Sequence, residues 1–178
     1  MIRPLLIAAL LLPVPAFAKD GDRKETKPKT TKTTQECRQG RVWDKARQRC
    51  VRVQSQLLDD DTLYGAVREF AYDGQLDHAQ AALAAMSDQT EDRVLTYWGF
   101  TTRKQGDMDK GMAFYRQALD QNPANITARS YMGQAFVVLG DIDAAREQLA
   151  AIRSYDGADS WAEVSLANAI ESGATYNY

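Results

Sequence analysis

QGDMDKGMAFYRQAL, residues 105–119, carries from Gly106 a glycine, any residue, an apolar residue and an aspartate. The same order stands at Gly74-Gln75-Leu76-Asp77 and at Gly140-Asp141-Ile142-Asp143, with the glycines 32 and 34 positions apart. Recurrence at that length points to an array of helical hairpins and takes precedence over any single motif. Around Gly106 the apolar residues fall at helical intervals. Val94, Leu95, Trp98 and Phe100 make one stripe; Met112, Tyr115, Ala118 and Leu119 make another. A glycine reaches the left-handed backbone that a helix end needs, which assigns Gly74, Gly106 and Gly140 to the turns. Asp77, Asp109 and Asp143 then fall where N-caps belong, each carboxylate facing free backbone N–H groups and the positive end of the helix dipole. Asn122-Pro123 stops the second helix of the pair.

Three such units follow one another, at about residues 60–91, 92–125 and 126–159. In the first, Leu63, Val67, Phe70, Ala79, Leu83 and Met86 carry the stripes; in the third, Tyr131, Met132, Ala135, Phe136, Leu139, Ala145, Leu149 and Ile152 do so. SWAEVSLANAIES, residues 160–172, predicts a helix that caps the last apolar face.

With these residues in place, the stretch 57–172 resembles the tetratricopeptide repeat family. The middle unit carries Trp98-Gly99, Gly106, Tyr115, Ala118 and Pro123 at the family's positions. The third carries Met132-Gly133, Phe136, Gly140, Ala145 and Leu149, but has Ile152 where an alanine and Gly157 where a proline is expected. The first is the loosest, with Val67 in place of the paired glycine and no closing proline. The resemblance implies an all-α solenoid of three hairpins plus a cap, and a concave groove lined by the first helix of each hairpin. Its groove positions are Tyr64, Arg68, Arg93, Thr96, Tyr97, Phe100, Arg103, Ser130, Tyr131 and Gln134. It implies a protein or peptide segment as partner. Family members that clamp a peptide carboxylate use positions that here hold Tyr64, Arg68, Tyr97, Thr127 and Tyr131; only Arg68 is basic, so that clamp is not expected. An aromatic, mixed-polar groove suits an extended or helical segment anchored through tyrosines; the alternative is that some of these tyrosines pack between neighbouring repeats.

The N-terminal third reads differently. Residues 1–18, MIRPLLIAALLLPVPAFA, have Arg3, a short apolar run and a small-x-small ending, the pattern of a secretory signal peptide. Pro13 and Pro15 break the run, too short for a ~20-residue span, so no transmembrane anchor is expected after cleavage. A periplasmic or secreted location follows. Residues 19–35 are rich in Lys and Thr without a large apolar side chain, and predict a disordered basic linker. Residues 36–53 predict a two-stranded hairpin stapled by Cys37 and Cys50, a closure worth about 3 kcal/mol in the chain-entropy model. Its pattern is similar to the small disulfide hairpins of some bacterial envelope proteins and, faintly, to short chitin-binding modules. The second likeness implies sugar contact through Trp43; the alternative is that Trp43 packs over the disulfide.

Charge is divided along the chain. Residues 19–54 hold 12 Lys+Arg against 5 Asp+Glu, and residues 55–178 hold 9 against 19. A basic arm on an acidic body suggests contact with an anionic envelope polymer, lipid head groups or the body itself. No aromatic is interleaved in the linker for base stacking, and a nucleic-acid partner is not expected. Asp107-x-Asp109 and Asp141-x-Asp143 hold too few oxygen ligands for a calcium loop. His78 beside Asp77 reads as a surface residue in a first helical turn. Without a second histidine, a nucleophile elbow or a phosphate loop, neither a cofactor nor an enzymatic activity is expected. The leading expectation is an exported adaptor that binds through the groove. The second is an envelope polymer-binding protein acting through the arm and the Cys37–Cys50 hairpin.

Overall fold

The computed structural model describes residues 29–176. The expected leader and most of the expected linker lie outside the described residues. Helix α1 spans Lys32–Gln35, and strands β1 (Val42–Asp44) and β2 (Arg49–Val51) pair antiparallel with Trp43 opposite Cys50. Seven longer helices follow: α2 Asp60–Tyr72, α3 Leu76–Ala85, α4 Asp92–Lys104, α5 Met108–Gln121, α6 Ile126–Leu139, α7 Ile142–Ser154 and α8 Trp161–Ser172. α2 packs on α3, α4 on α5 and α6 on α7; each pair then leans on the next, and α8 lies across α6 and α7. This is the all-α array of stacked helical hairpins, preceded by a disulfide hairpin, that the periodicity demands.

Each hairpin turns by the same device. Gly74, Gly106 and Gly140 have φ of +76°, +105° and +80°. The residue after each donates its N–H five residues back: Gln75 to Phe70, Asp107 to Thr102 and Asp141 to Phe136, at 2.8, 3.2 and 2.9 Å. These are Schellman closures, which pair carbonyls that a helix end otherwise leaves open. Gly106→Ala tests the device cleanly, because nothing lies within 4 Å of an added Cβ and the cost is conformational alone. The expected loss is about 1–2 kcal/mol, read as a lower urea midpoint; an unchanged midpoint would show that the turn relaxes freely.

The N-caps differ from the expectation. Asp107 and Asp141, not Asp109 and Asp143, accept from the backbone N–H groups of Lys110 and Ala144, both at 3.1 Å. Asp77, Asp109 and Asp143 sit inside the first turns of α3, α5 and α7, and the α3 cap, Gln75, makes no side-chain capping bond. The loops are short: the residue directly after the glycine already has cap geometry, and the helix starts one position later. The second aspartate of each motif still favours the dipole's positive end.

Two glycines set the closest helix approach. An added Cβ at Gly99 would sit 2.6 Å from the Tyr115 ring, and one at Gly111 2.9 Å from the Gly99 carbonyl oxygen. α4 and α5 therefore meet backbone to backbone.

The N-terminal unit is part of the body rather than a free module. Cys37 and Cys50 are bonded. Val42 and Val53 are buried in the same apolar cluster as Leu63, Val67 and Phe70 of α2. Gly40 lies against His78, whose ring is also 5.5 Å from Phe70, so His78 is a half-buried contact for the hairpin rather than a surface residue. The end of the expected disordered linker is also corrected. Residues 31–35 form the cap and turn of α1 and dock on Glu69. The Glu69 carboxylate, almost wholly buried, accepts from Thr31 N–H (2.7 Å), Thr31 Oγ1 (2.6 Å), Thr34 N–H (3.1 Å) and Thr34 Oγ1. Residues of a linker composition become ordered here because one buried carboxylate needs their donors.

At the other end, Glu163 ties α8 to α7. Its Oε1 accepts from Arg153 Nε at 2.6 Å and its Oε2 from Asp159 N–H at 2.7 Å. The Arg153 bond first, then the Asp159 bond, hold the carboxyl below its ordinary value. A lowered folded value gives stability that is complete above the ordinary 4.5 and is lost as pH falls through the folded value. Acid unfolding below pH 4.5 is expected to be flatter in Glu163→Gln than in the parent, measured by thermal midpoint against pH; parallel curves would remove this carboxyl from the acid limb.

Candidate functional site

The first helices α2, α4 and α6 bring Tyr64, Tyr97 and Tyr131 into a ladder. Tyr64 meets Tyr97 edge-on at 5.6 Å, and Tyr97 meets Tyr131 edge-on at 5.9 Å. Phe100 stands 4.7 Å from Tyr131 and 6.2 Å from Tyr97, and Tyr115 of α5 closes the group at 6.4 Å from Tyr131. Tyr97, Phe100, Tyr115 and Tyr131 have no exposed surface. Thr96, Ser130 and Gln134 are also buried, and Arg103 keeps only 6% of its surface.

Seven of the ten expected groove residues are therefore core rather than open groove. Stacking supplies the reason. Thr96 receives a bond from Asn125 Nδ2 at the start of α6 (3.0 Å). Ser130 Oγ donates to the Ala162 carbonyl of α8 (2.9 Å). Arg103 is used internally: Nε donates to the Tyr115 hydroxyl at 3.3 Å and the cation lies 5.9 Å from the Phe100 ring. Burial pushes the Tyr115 hydroxyl's pKa up, and Arg103 opposes it in part. Lys104, next to it, is held below the usual lysine value by burial and by the charge of Arg103.

The other three, Tyr64, Arg68 and Arg93, reach the surface at the N-terminal end. Arg93 retains 29% side-chain exposure, covers the Tyr64 ring at 4.8 Å and pairs with Asp61 (2.8 Å) and Glu91 (2.6 Å). Partial burial works against that cation, but Asp61 and Glu91 outweigh it and raise its pKa above the ordinary guanidinium value. Arg68 borders a cleft of about 560 Å³ between α2 and the disulfide hairpin. Val42, Asp44, Arg47, Leu58, Thr62, Gly65 and Glu69 line it too. Asp61, the partner of Arg93, also lines this cleft, so the accessible residues meet it through Asp61 and Arg68. Sequence reasoning missed the cleft because it is made by docking the hairpin on α2. The one available signal was Glu69, a carboxylate inside the apolar stripe of α2.

Trp43 is half-buried. The Lys32 ammonium lies 4.3 Å over its ring, and its backbone N–H donates to Thr33 Oγ1 at 3.2 Å. The arm thus covers one ring face, which removes that face from a sugar. Among the described residues, no three His, Cys, Asp or Glu side chains gather to hold a metal ion, and no helix is long and apolar enough to cross a membrane.

A tetratricopeptide repeat family model matches residues 102–166, from the end of α4 into α8. No curated protein and no solved structure matches the chain. Repeats of this kind mediate protein–protein interaction and are typically non-enzymatic scaffolds.

Proposed function

We propose that this chain is an exported adaptor that holds a protein segment at the N-terminal end of its repeat array. The observation that carries this is the gradient of access along the first helices. Tyr64, Arg68 and Arg93 reach solvent beside a 560 Å³ cleft, while their counterparts further along are packed away. A tyrosine with the Arg93 guanidinium over its ring, Arg68 one helical turn further along α2 and Asp61 paired to Arg93 offers an aromatic anchor with charges of both signs, which suits a mixed-polar segment in extended form. The leader-like residues 1–18 and the bonded pair Cys37–Cys50 support a periplasmic or secreted setting.

Photo-cross-linking from position 68 tests the reading against a control at Arg116, exposed on α5. Position 68 is expected to label a protein partner that position 116 does not. Tyr64→Ala with Arg93→Ala is expected to reduce capture about tenfold or more. Equal labelling from both positions, or undiminished capture by the double variant, sinks the assignment. If the material recovered is an anionic polymer and capture fades with salt, the basic arm is the reader instead.

A further inference from the structure

The last described residues do something that a cap does not require. α8 ends at Ser172, and Gly173, at φ +73°, donates its N–H to the Ala169 carbonyl at 2.8 Å. The chain reverses there. Three residues on, the Tyr176 ring is 6.4 Å from Trp161, the first residue of α8, at 77° between planes. Residues 174–176 therefore run back along the helix they have just left. The Tyr176 N–H donates to Gln134 Oε1 at 2.7 Å. Gln134 is fully buried, and its amide nitrogen already faces Ser130 Oγ at 3.4 Å, so Tyr176 supplies a donor for the opposite end of the amide. The Tyr176 ring packs against the cluster that contains Tyr97, Phe100 and Tyr131. Backbone donor and aromatic anchor are both read, by side chains of α6 and α8.

We propose that residues 174–176 are a built-in occupant of the C-terminal end of the repeat face, held there in place of an external segment of the same chemistry: extended, with a tyrosine whose own N–H is free to meet Gln134. This rests on the reading above that the face of the first helices binds protein segments. A tethered occupant acts at an effective concentration of order mM, so an external segment binds weakly until the tail is displaced. Self-occupancy adds to stacking at this end of the face, where Tyr176 meets the buried Gln134 amide.

The test compares three proteins: the full chain, a chain ending at Gly173, and the full chain with Tyr176→Ala. The probe is a fluorescent peptide of the sequence ATYNY, residues 174–178, with ATANY as control. Anisotropy is expected to show the shortened chain and Tyr176→Ala binding ATYNY at least about tenfold more tightly than the full chain, with ATANY bound by none. Tyr176→Ala keeps all of α8, so it decides the matter if the shortened chain is misfolded by circular dichroism. Equal binding by all three, or binding by none, overturns the proposal. The two readings fail separately. Loss of partner capture in the Tyr64/Arg93 variant with no peptide difference removes only the tail. Peptide binding with intact capture by that variant removes only the adaptor site.

Discussion

Tyr131→Ala is expected to lower the stability of the helical body by about 3–5 kcal/mol, in the range of large aromatic truncations in a core. Tyr131 is fully buried and meets Tyr97, Phe100 and Tyr115 at once, so its removal opens a cavity shared by α4, α5 and α6. Ring pairs of this kind add about 0.5–1.5 kcal/mol beyond area. Tyr64→Ala, at the accessible end of the same ladder, is expected to cost about 1 kcal/mol. Urea unfolding followed by helical circular dichroism separates the two. Similar small losses would return Tyr131 to the groove surface. For the same reason, a Tyr97→Ala with Phe100→Ala variant does not isolate binding: both side chains are core, and lost capture would follow from lost folding.

Glu69→Ala is expected to release the segment before β1 while leaving the repeats folded. Four donors converge on that carboxylate, two of them backbone N–H groups of Thr31 and Thr34. Hydrogen bonds to a charged group are worth about 1.5–3 kcal/mol each in net terms, but Thr31 is exposed and its donors regain water on release. A local loss of roughly 2–3 kcal/mol is therefore expected. Hydrogen exchange should speed up at residues 31–36 and remain slow in α4 to α6. Uniform acceleration would mean that the segment is a cooperative part of the whole body, and no acceleration would mean that α1 is held by the hairpin alone. The cleft beside α2 has Thr31 and Thr33 in its wall, so the same variant reports on whether the proposed partner needs that wall.

The repeat architecture was legible because stacking imposes a period. Gly74, Gly106 and Gly140 recur, each needing positive φ, and the stripes of α4 and α5 follow from 3.6-residue spacing. The cap position was misread by two residues, since a hydrogen-bond register inside a short loop is decided by backbone angles that the pattern Gly-x-apolar-Asp does not contain. Which groove positions stay open was not legible for a related reason. Tyr64, Tyr97 and Tyr131 recur at intervals of 33 and 34. A side chain repeated in every unit is placed to meet its own counterpart in the next unit, so recurrence is a signature of packing rather than of partner recognition.

By itself the sequence determined the helical hairpins, their turns, their order and the Cys37–Cys50 staple, because these rest on local backbone geometry, on periodic apolar burial and on the presence of two cysteines. Only the tertiary structure decided which tyrosines stay accessible, that a threonine-rich segment docks on Glu69, and that Tyr176 returns to Gln134. Those outcomes depend on residues 34–42 positions apart in the chain being brought within a few ångströms, and no local pattern records such a meeting.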